Sequence, residues 1–145
     1  MSFSWKDEYK IGNAEIDTEH QMLFQIAEAF FEATDKASRS ICAMRLYQYT
    51  REHFRHEEQV MLAVNYPKRE VHVQQHNVLI HTLNGVSEKI ADETLQFSEL
   101  EDFLRAWLLG HMRTFDTRLA AYIRLEAFKA DQRGTQFANQ GLAFQ

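Results

Sequence analysis

Cys42 is the only thiol in this chain, so no disulfide can form within it, and neither a zinc–thiolate nor an iron–sulfur site can be built. It reads as a small helix residue, since free cysteine packs like a small hydrophobe. Turn formers are nearly as scarce, with Pro67 alone and five glycines among 145 residues. That leaves long helices and few loops. Positive charge is not in excess either. The formal net charge is −5, and the lysines and arginines are dispersed along the chain, which removes the basic footprint of a nucleic-acid-binding protein. No run of about 18 apolar residues occurs to span a bilayer, and Met1 to Lys6 lack the apolar core of a signal peptide. The expectation is a cytoplasmic protein with neither nucleic acid nor membrane as partner.

The length suits one domain with a real core. A first helix is expected from Asp17 or Thr18, either of which can cap it, to about Lys36. Its stripe of Leu23, Ile26, Ala27, Phe30 and Phe31, followed back one turn, reaches His20. A second, from about Ser40 to Asn65, carries Leu46, Tyr49, Val60 and Val64, with His53 and Glu57 continuing the stripe through its middle; Tyr66-Pro67 ends it. The third, about Lys68 to Ala91, has the most regular line: His72, His76, Leu79, Leu83, Val86, Ile90. The fourth runs from about Ser98, with Ser98 and Glu101 as a capping box, to about Phe128, along Leu100, Leu104, Trp107, His111, Phe115, Leu119 and Tyr122. Short links between long helices predict an all-α fold, an antiparallel up-down-up-down four-helix bundle, with an N-terminal arm (Trp5, Tyr9, Ile11) packed across it. Residues 1–128 form the expected domain, and 129–145 a polar tail, mobile or the start of a linker.

Seven polar groups thus interrupt the inward seams: His20, His53, Glu57, His72, His76, His111 and Asp116. Burying them uncompensated would cost several kcal/mol each, enough to unfold a domain stable by about 5–15 kcal/mol. Metal dications remove that objection. Side chains four apart on a helix meet about 6 Å from one another, so His53 with Glu57 and His72 with His76 are set to chelate. His111 and Asp116 are five apart, which at about 100° per residue turns the aspartate about 140° from the histidine. That spacing suits a carboxylate reaching between two ions, or a local π-bulge. His56 and His81 fall off the seams and are expected at the surface, and Glu58 is a solvated or outer carboxylate.

The pattern of one histidine at the start of helix one, HxxxE on helix two, HxxxH on helix three and HxxxxD on helix four resembles the hemerythrin family. The likeness to its bacterial branch is carried by Trp5, Ile16-Asp17-Thr18-Glu19-His20, His53-Phe54-Arg55-His56-Glu57-Glu58 with Met61, Tyr66-Pro67 and Trp107-Leu108-Leu109-Gly110-His111. It spans roughly residues 3–127, with no ligand position missing. The resemblance implies two iron ions, one held by His72, His76 and His111 and the other by His20 and His53. Glu57 and Asp116 would bridge them together with a solvent-derived oxygen. The iron with two histidines keeps a position open for dioxygen, facing apolar candidates one turn from the ligands: Phe24, Ile80, Trp107, Leu108 and Met112.

An imidazole-rich set leaves the ions with net positive charge and favours holding oxygen over cleaving it, although imidazole also suits zinc, copper and manganese. Histidine binds metal when neutral, so acidification through about pH 6 is expected to release the iron and weaken the fold. The expected function is non-enzymatic: carriage, storage or delivery of dioxygen, with an oxygen-consuming enzyme as a possible recipient. The alternatives are an oxygen or redox sensor domain joined to a downstream signalling domain, and reduction of peroxide or nitric oxide.

Overall fold

A computed structural model of the chain describes the backbone of residues 3–143 and the side-chain surroundings of residues 3–134. Among these the structure is all-helical, with four helical arms: α1 (Ala14–Glu32), α2 (Lys36–Ala63), α3 with α4 (Arg69–Asn84 and Val86–Ala91), and α5 (Phe97–His111), continued by a π-helical turn (Met112–Asp116) into α6 (Thr117–Ala143). The arms form a four-helix bundle, as the seam pattern predicts.

The boundaries show where local sequence misleads. Helix α1 begins three residues earlier than expected, because Asn13 is the cap, its side chain accepting from the Ile16 amide. Asp17 is buried one turn inside the helix, where it accepts the Ile11 amide at 2.8 Å and pins the arm. The helix also stops at Glu32 rather than Lys36, and α2 starts at Lys36, with Asp35 capping through the amide and hydroxyl of Ser38. On α2 the buried line is Leu46, Thr50, His53, Glu57 and Met61, with Val60 and Val64 only half-buried. The helix ends in a Schellman-type turn: Asn65 adopts φ 53° and the Tyr66 amide returns to Met61 O at 2.9 Å. The third arm keeps its predicted seam but breaks at Gly85. No capping box forms at the start of α5, where Gln96 takes the cap position without a side-chain bond and Glu101 pairs with Arg105 instead. Helix α6 continues past Phe128 to Ala143, so the expected tail is helical as far as the backbone is described; the side chains from 135 onward and residues 144 and 145 lie outside the described set.

One apolar core fills the end of the bundle carrying Phe30, Leu46, Leu79, Leu83, Leu100 and Leu104. The arm closes its side as expected, and Phe3, absent from the predicted arm contacts, is the residue that sinks deepest, at 2 % exposure. Its ring stacks on Phe31 at 5.3 Å and tilts against Phe24 at 5.8 Å. Burying one such side chain is worth about 1.5–3 kcal/mol. A second cluster around Met61, Tyr66 and Leu119 closes the opposite end. The polar cluster lies between the two.

Candidate metal centre

Each arm delivers its polar residues at the same level of the bundle. His20 comes from α1, His53 and Glu57 from one face of α2, His72 and His76 from one face of α3, and His111 from the last turn of α5. Asp116 closes the π turn. A regular α-helix would aim it away from His111, but the wider turn, in which bonding reaches from Thr117 back to Met112 O, adds one residue to the repeat and returns the fifth residue to the same side. All seven side chains are buried, with exposures between 0 and 8 % for every buried polar residue of the chain. One donor atom from each of Glu57, His72, His76, His111 and Asp116 lies within 4.8 Å of every other, and the same holds for His20, His53 and Glu57.

The two carboxylates divide their oxygens between these groups. Glu57 Oε1 stands 3.2 Å from His72 Nε2 and 3.3 Å from His76 Nε2, while its Oε2 stands 2.6 Å from His53 Nε2 and 3.5 Å from His20 Nε2. Asp116 repeats the arrangement, with Oδ1 3.1 Å from both His72 and His111 Nε2 and Oδ2 3.0 Å from His20 Nε2. One side of the carboxylate pair therefore meets three imidazoles, and the other meets two.

Short as these approaches are, all four carboxylate oxygens and the Nε2 atoms of His53, His72, His76 and His111 lack a hydrogen bond of acceptable geometry to any described residue. Their lone pairs converge on the space between them rather than on each other. Buried polar atoms without partners cost about 1–3 kcal/mol each, and convergent neutral nitrogens with anionic oxygens are what a cation requires. The residues present fit a metal pair.

Without a metal, protons must compensate the charge. Burial disfavours a charged His53, yet the adjacent Glu57 carboxylate and the contact with Glu19 push its pKa up to about 10. His72 rises to about 9 against the same burial penalty, held by Asp116 and Glu57, and His20 also rises. Burial and mutual repulsion oppose ionisation of Asp116, but His111 and His20 keep it below the ordinary carboxylate range, and His53, His20 and His72 do the same for buried Glu57. At His111 desolvation prevails and the pKa falls.

Around the ligands, the aromatic wall is built of Phe54, Trp107 and Phe115. Phe54 lies 3.7 Å from the His76 ring at an interplanar angle of 3°, Trp107 stacks on His111 at 4.5 Å, and Phe115 also stacks on His111 at 5.4 Å. Of the five apolar candidates, Trp107 therefore borders the three-histidine side, as does Ile80, which shares a groove with His76 and Phe54. Phe24, Leu108 and Met112 are each 2 % exposed in the main core, with Phe24 set among Phe3, Trp5 and Tyr9. Two carboxylates stand behind the ligands. Glu58 Oε2 is 3.4 Å from His76 Nδ1, in keeping with an outer role. Glu19, read from sequence only within the segment Ile16-Asp17-Thr18-Glu19-His20, accepts from His53 Nδ1 at 3.3 Å and from His56 Nδ1 at 2.9 Å. Burial raises its pKa, but those two histidines prevail and bring it below the ordinary value. His56 is thus half-buried rather than free at the surface, whereas His81 is exposed. No sequence signal marks the Glu19 contact, because its partners lie on another helix.

Known proteins resemble this chain in sequence, and a solved structure resembles it in fold. A bacteriohemerythrin of Clostridium acetobutylicum is 29 % identical over 119 residues, covering 76 % of this chain and 92 % of its own length. A myohemerythrin of Theromyzon tessulatum is 23 % identical over 114 residues, covering 79 % and 88 %. The crystal structure of wild-type hemerythrin superposes with a TM-score of 0.74 at 18 % identity, over 81 % of this chain and 95 % of that one, which establishes a common fold. No described helix is long and apolar enough to cross a membrane. The family model described as the hemerythrin HHE cation-binding domain matches residues 12–123, a span that contains all seven clustered polar residues, and the chain belongs to that family.

Proposed function

We propose that this protein binds dioxygen reversibly at a non-haem di-iron centre. His72, His76 and His111 would hold one iron, His20 and His53 the other, with Glu57 and Asp116 shared between them. The observation that carries this reading is the division of carboxylate oxygens: Glu57 Oε1 and Asp116 Oδ1 together face His72, His76 and His111, while Glu57 Oε2 and Asp116 Oδ2 together face His20 and His53. A ferrous pair held there would supply the two electrons with which dioxygen is bound and given back. The unequal imidazole count supports assigning the exogenous ligand to the His20 and His53 side.

The chain's own contribution is exclusion and orientation. Phe24, Leu108 and Met112, all buried, are the apolar residues we assign to keeping water from that side, while Trp107 and Ile80 cover the three-histidine side. Five neutral donors against two anions leave the pair cationic, which supports binding over cleavage of the ligand. The test is metal analysis of the purified chain, with visible spectra of the reduced protein through cycles of air and anaerobic exchange. Two irons per chain and a colour that returns with each cycle are expected; a pair that oxidises once and stays oxidised would overturn reversible binding.

Sensing is favoured by one feature alone, the continuous α6, which carries the backbone beyond the family match at residue 123 as far as Ala143. A continuous helix leaving the centre next to Asp116 suits transmission to a partner domain. An oxygen-dependent change in the protease sensitivity of α6 would support that role.

A further inference from the structure

We propose that Glu19 and Glu58 are positioning residues, one for each half of the metal centre, which single out His53 and His76 as the imidazoles backed by a carboxylate. The inference deepens the di-iron reading and rests on it. Five histidines face the centre, and the outward nitrogens of three of them, Nδ1 of His20, His72 and His111, are buried with no hydrogen-bond partner among the described residues. Among the described residues, only His53 and His76 have an anion there, Glu19 at 3.3 Å and Glu58 at 3.4 Å. One lies in the two-histidine group and the other in the three-histidine group, so the backing is distributed one to a side.

Both carboxylates reach across from a neighbouring helix. Glu19 precedes His20 on α1 and contacts a histidine of α2; Glu58 follows Glu57 on α2 and contacts a histidine of α3. Successive helical residues diverge by about 100°, so the residue beside an inward ligand is aimed at the rim of the adjoining helix. Glu19 and Glu58 are 22 and 29 % exposed, whereas the side chains of His53 and His76 are each 1 % exposed.

Each backed ring is further fixed. Glu19 is gripped by His56 Nδ1, at 3.0 and 2.9 Å to its two oxygens, and Tyr49 Oη donates to its carbonyl at 3.0 Å. His76 is clamped in its plane by the Phe54 ring. With Nδ1–H donated outward, the Nε2 lone pair faces the carboxylate pair, and the anionic acceptor makes the imidazole a stronger donor to its own metal. The two irons are thereby tuned separately, through different residues.

The experiment loads the full-length wild type, Glu19→Gln and Glu58→Gln anaerobically with isotopically enriched ferrous iron, then measures iron per chain, ferrous affinity and Mössbauer spectra. The amide keeps the shape and removes the charge. Each variant is expected to lose affinity by about 10- to 100-fold and, at saturating iron, to shift the quadrupole splitting of one doublet, the two variants moving different doublets. His56→Gln loosens the grip on Glu19 without touching a ligand, and is expected to shift the same doublet as Glu19→Gln; it replaces that variant should Glu19→Gln not fold. Both variants moving one doublet, or neither moving any, overturns the assignment. A wild type that takes up no iron pair defeats the di-iron reading itself, and the iron count shows this before any variant is compared.

Discussion

At the scale of single residues, the centre is a balance between protons and cations. In the metal-free chain His53 and His72 have pKa values raised from 6.5 to about 10 and about 9. Their pairing with Glu57 and Asp116 therefore stabilises the fold fully below pH 6.5 and is lost as the pH climbs through 9 to 10. The carboxylates, lowered from 4.5 and 3.8, contribute in the opposite sense, their stabilisation being lost as acid protonates them. Metal binding reverses the histidine dependence, because each imidazole must shed its proton to become a ligand. Melting temperatures taken from pH 6.5 to pH 9 are expected to fall for the chelated chain and to hold or rise for the loaded one. Parallel slopes would show that the histidines do not bind the metal.

At the scale of elements, the π turn at Met112–Asp116 decides which carboxylate reaches the centre. It is one residue more than an α-helix needs. Removing exposed Thr114 is expected to restore regular α-helix, bring His111 and the aspartate to four-residue spacing, and keep α6 in phase with its buried Leu119 and Ala120. The aspartate then chelates beside His111 instead of reaching both sides. The deletion variant should fold with unchanged far-ultraviolet circular dichroism but bind one metal per chain instead of two. At the arm, Gly12 sits at φ 90°, with the Arg124 guanidinium 2.6 Å from where a Cβ would stand and bonding to Ile11 O and Gly12 O. Gly12→Ala should cost about 1–2 kcal/mol from the left-handed backbone and lower the melting temperature by roughly 3–8 °C, with metal content unchanged in a parallel assay.

At the scale of the whole molecule, the bundle buries two carboxylates and five imidazoles midway between its apolar ends, so folding and metal binding are linked. Metal at about 100 times its dissociation constant adds about 2.7 kcal/mol. Chelation is expected to lower the melting temperature by roughly 5–15 °C, read by calorimetry with and without metal. A chelated chain as stable as the loaded one would mean that the protons on His20, His53 and His72 compensate the buried charge as well as a cation does.

Much of this was determined by the sequence alone. The period of the apolar residues orients each helix, so any polar residue on the line must face the interior, and His20, His53, Glu57, His72, His76 and His111 could be placed there without coordinates. The scarcity of proline and glycine left few places to turn, which made a four-helix bundle the outcome. Tertiary structure decided whatever depends on a partner distant in the chain. Asn13 and Asp17 are equally good caps by composition, and Asp17 is excluded only because the Ile11 amide claims its carboxylate. The break between Glu32 and Lys36 follows from the Asp35 cap rather than from any gap in the apolar stripe. The spacing of His111 and Asp116 admitted both a reach between ions and a π-bulge, and the packed bundle brings the two together: the wide turn is what aims Asp116 at both groups. Glu19 and Glu58 gave no periodic signal because they act sideways, between helices, where the contact is set by how the arms pack and not by the repeat of any one of them.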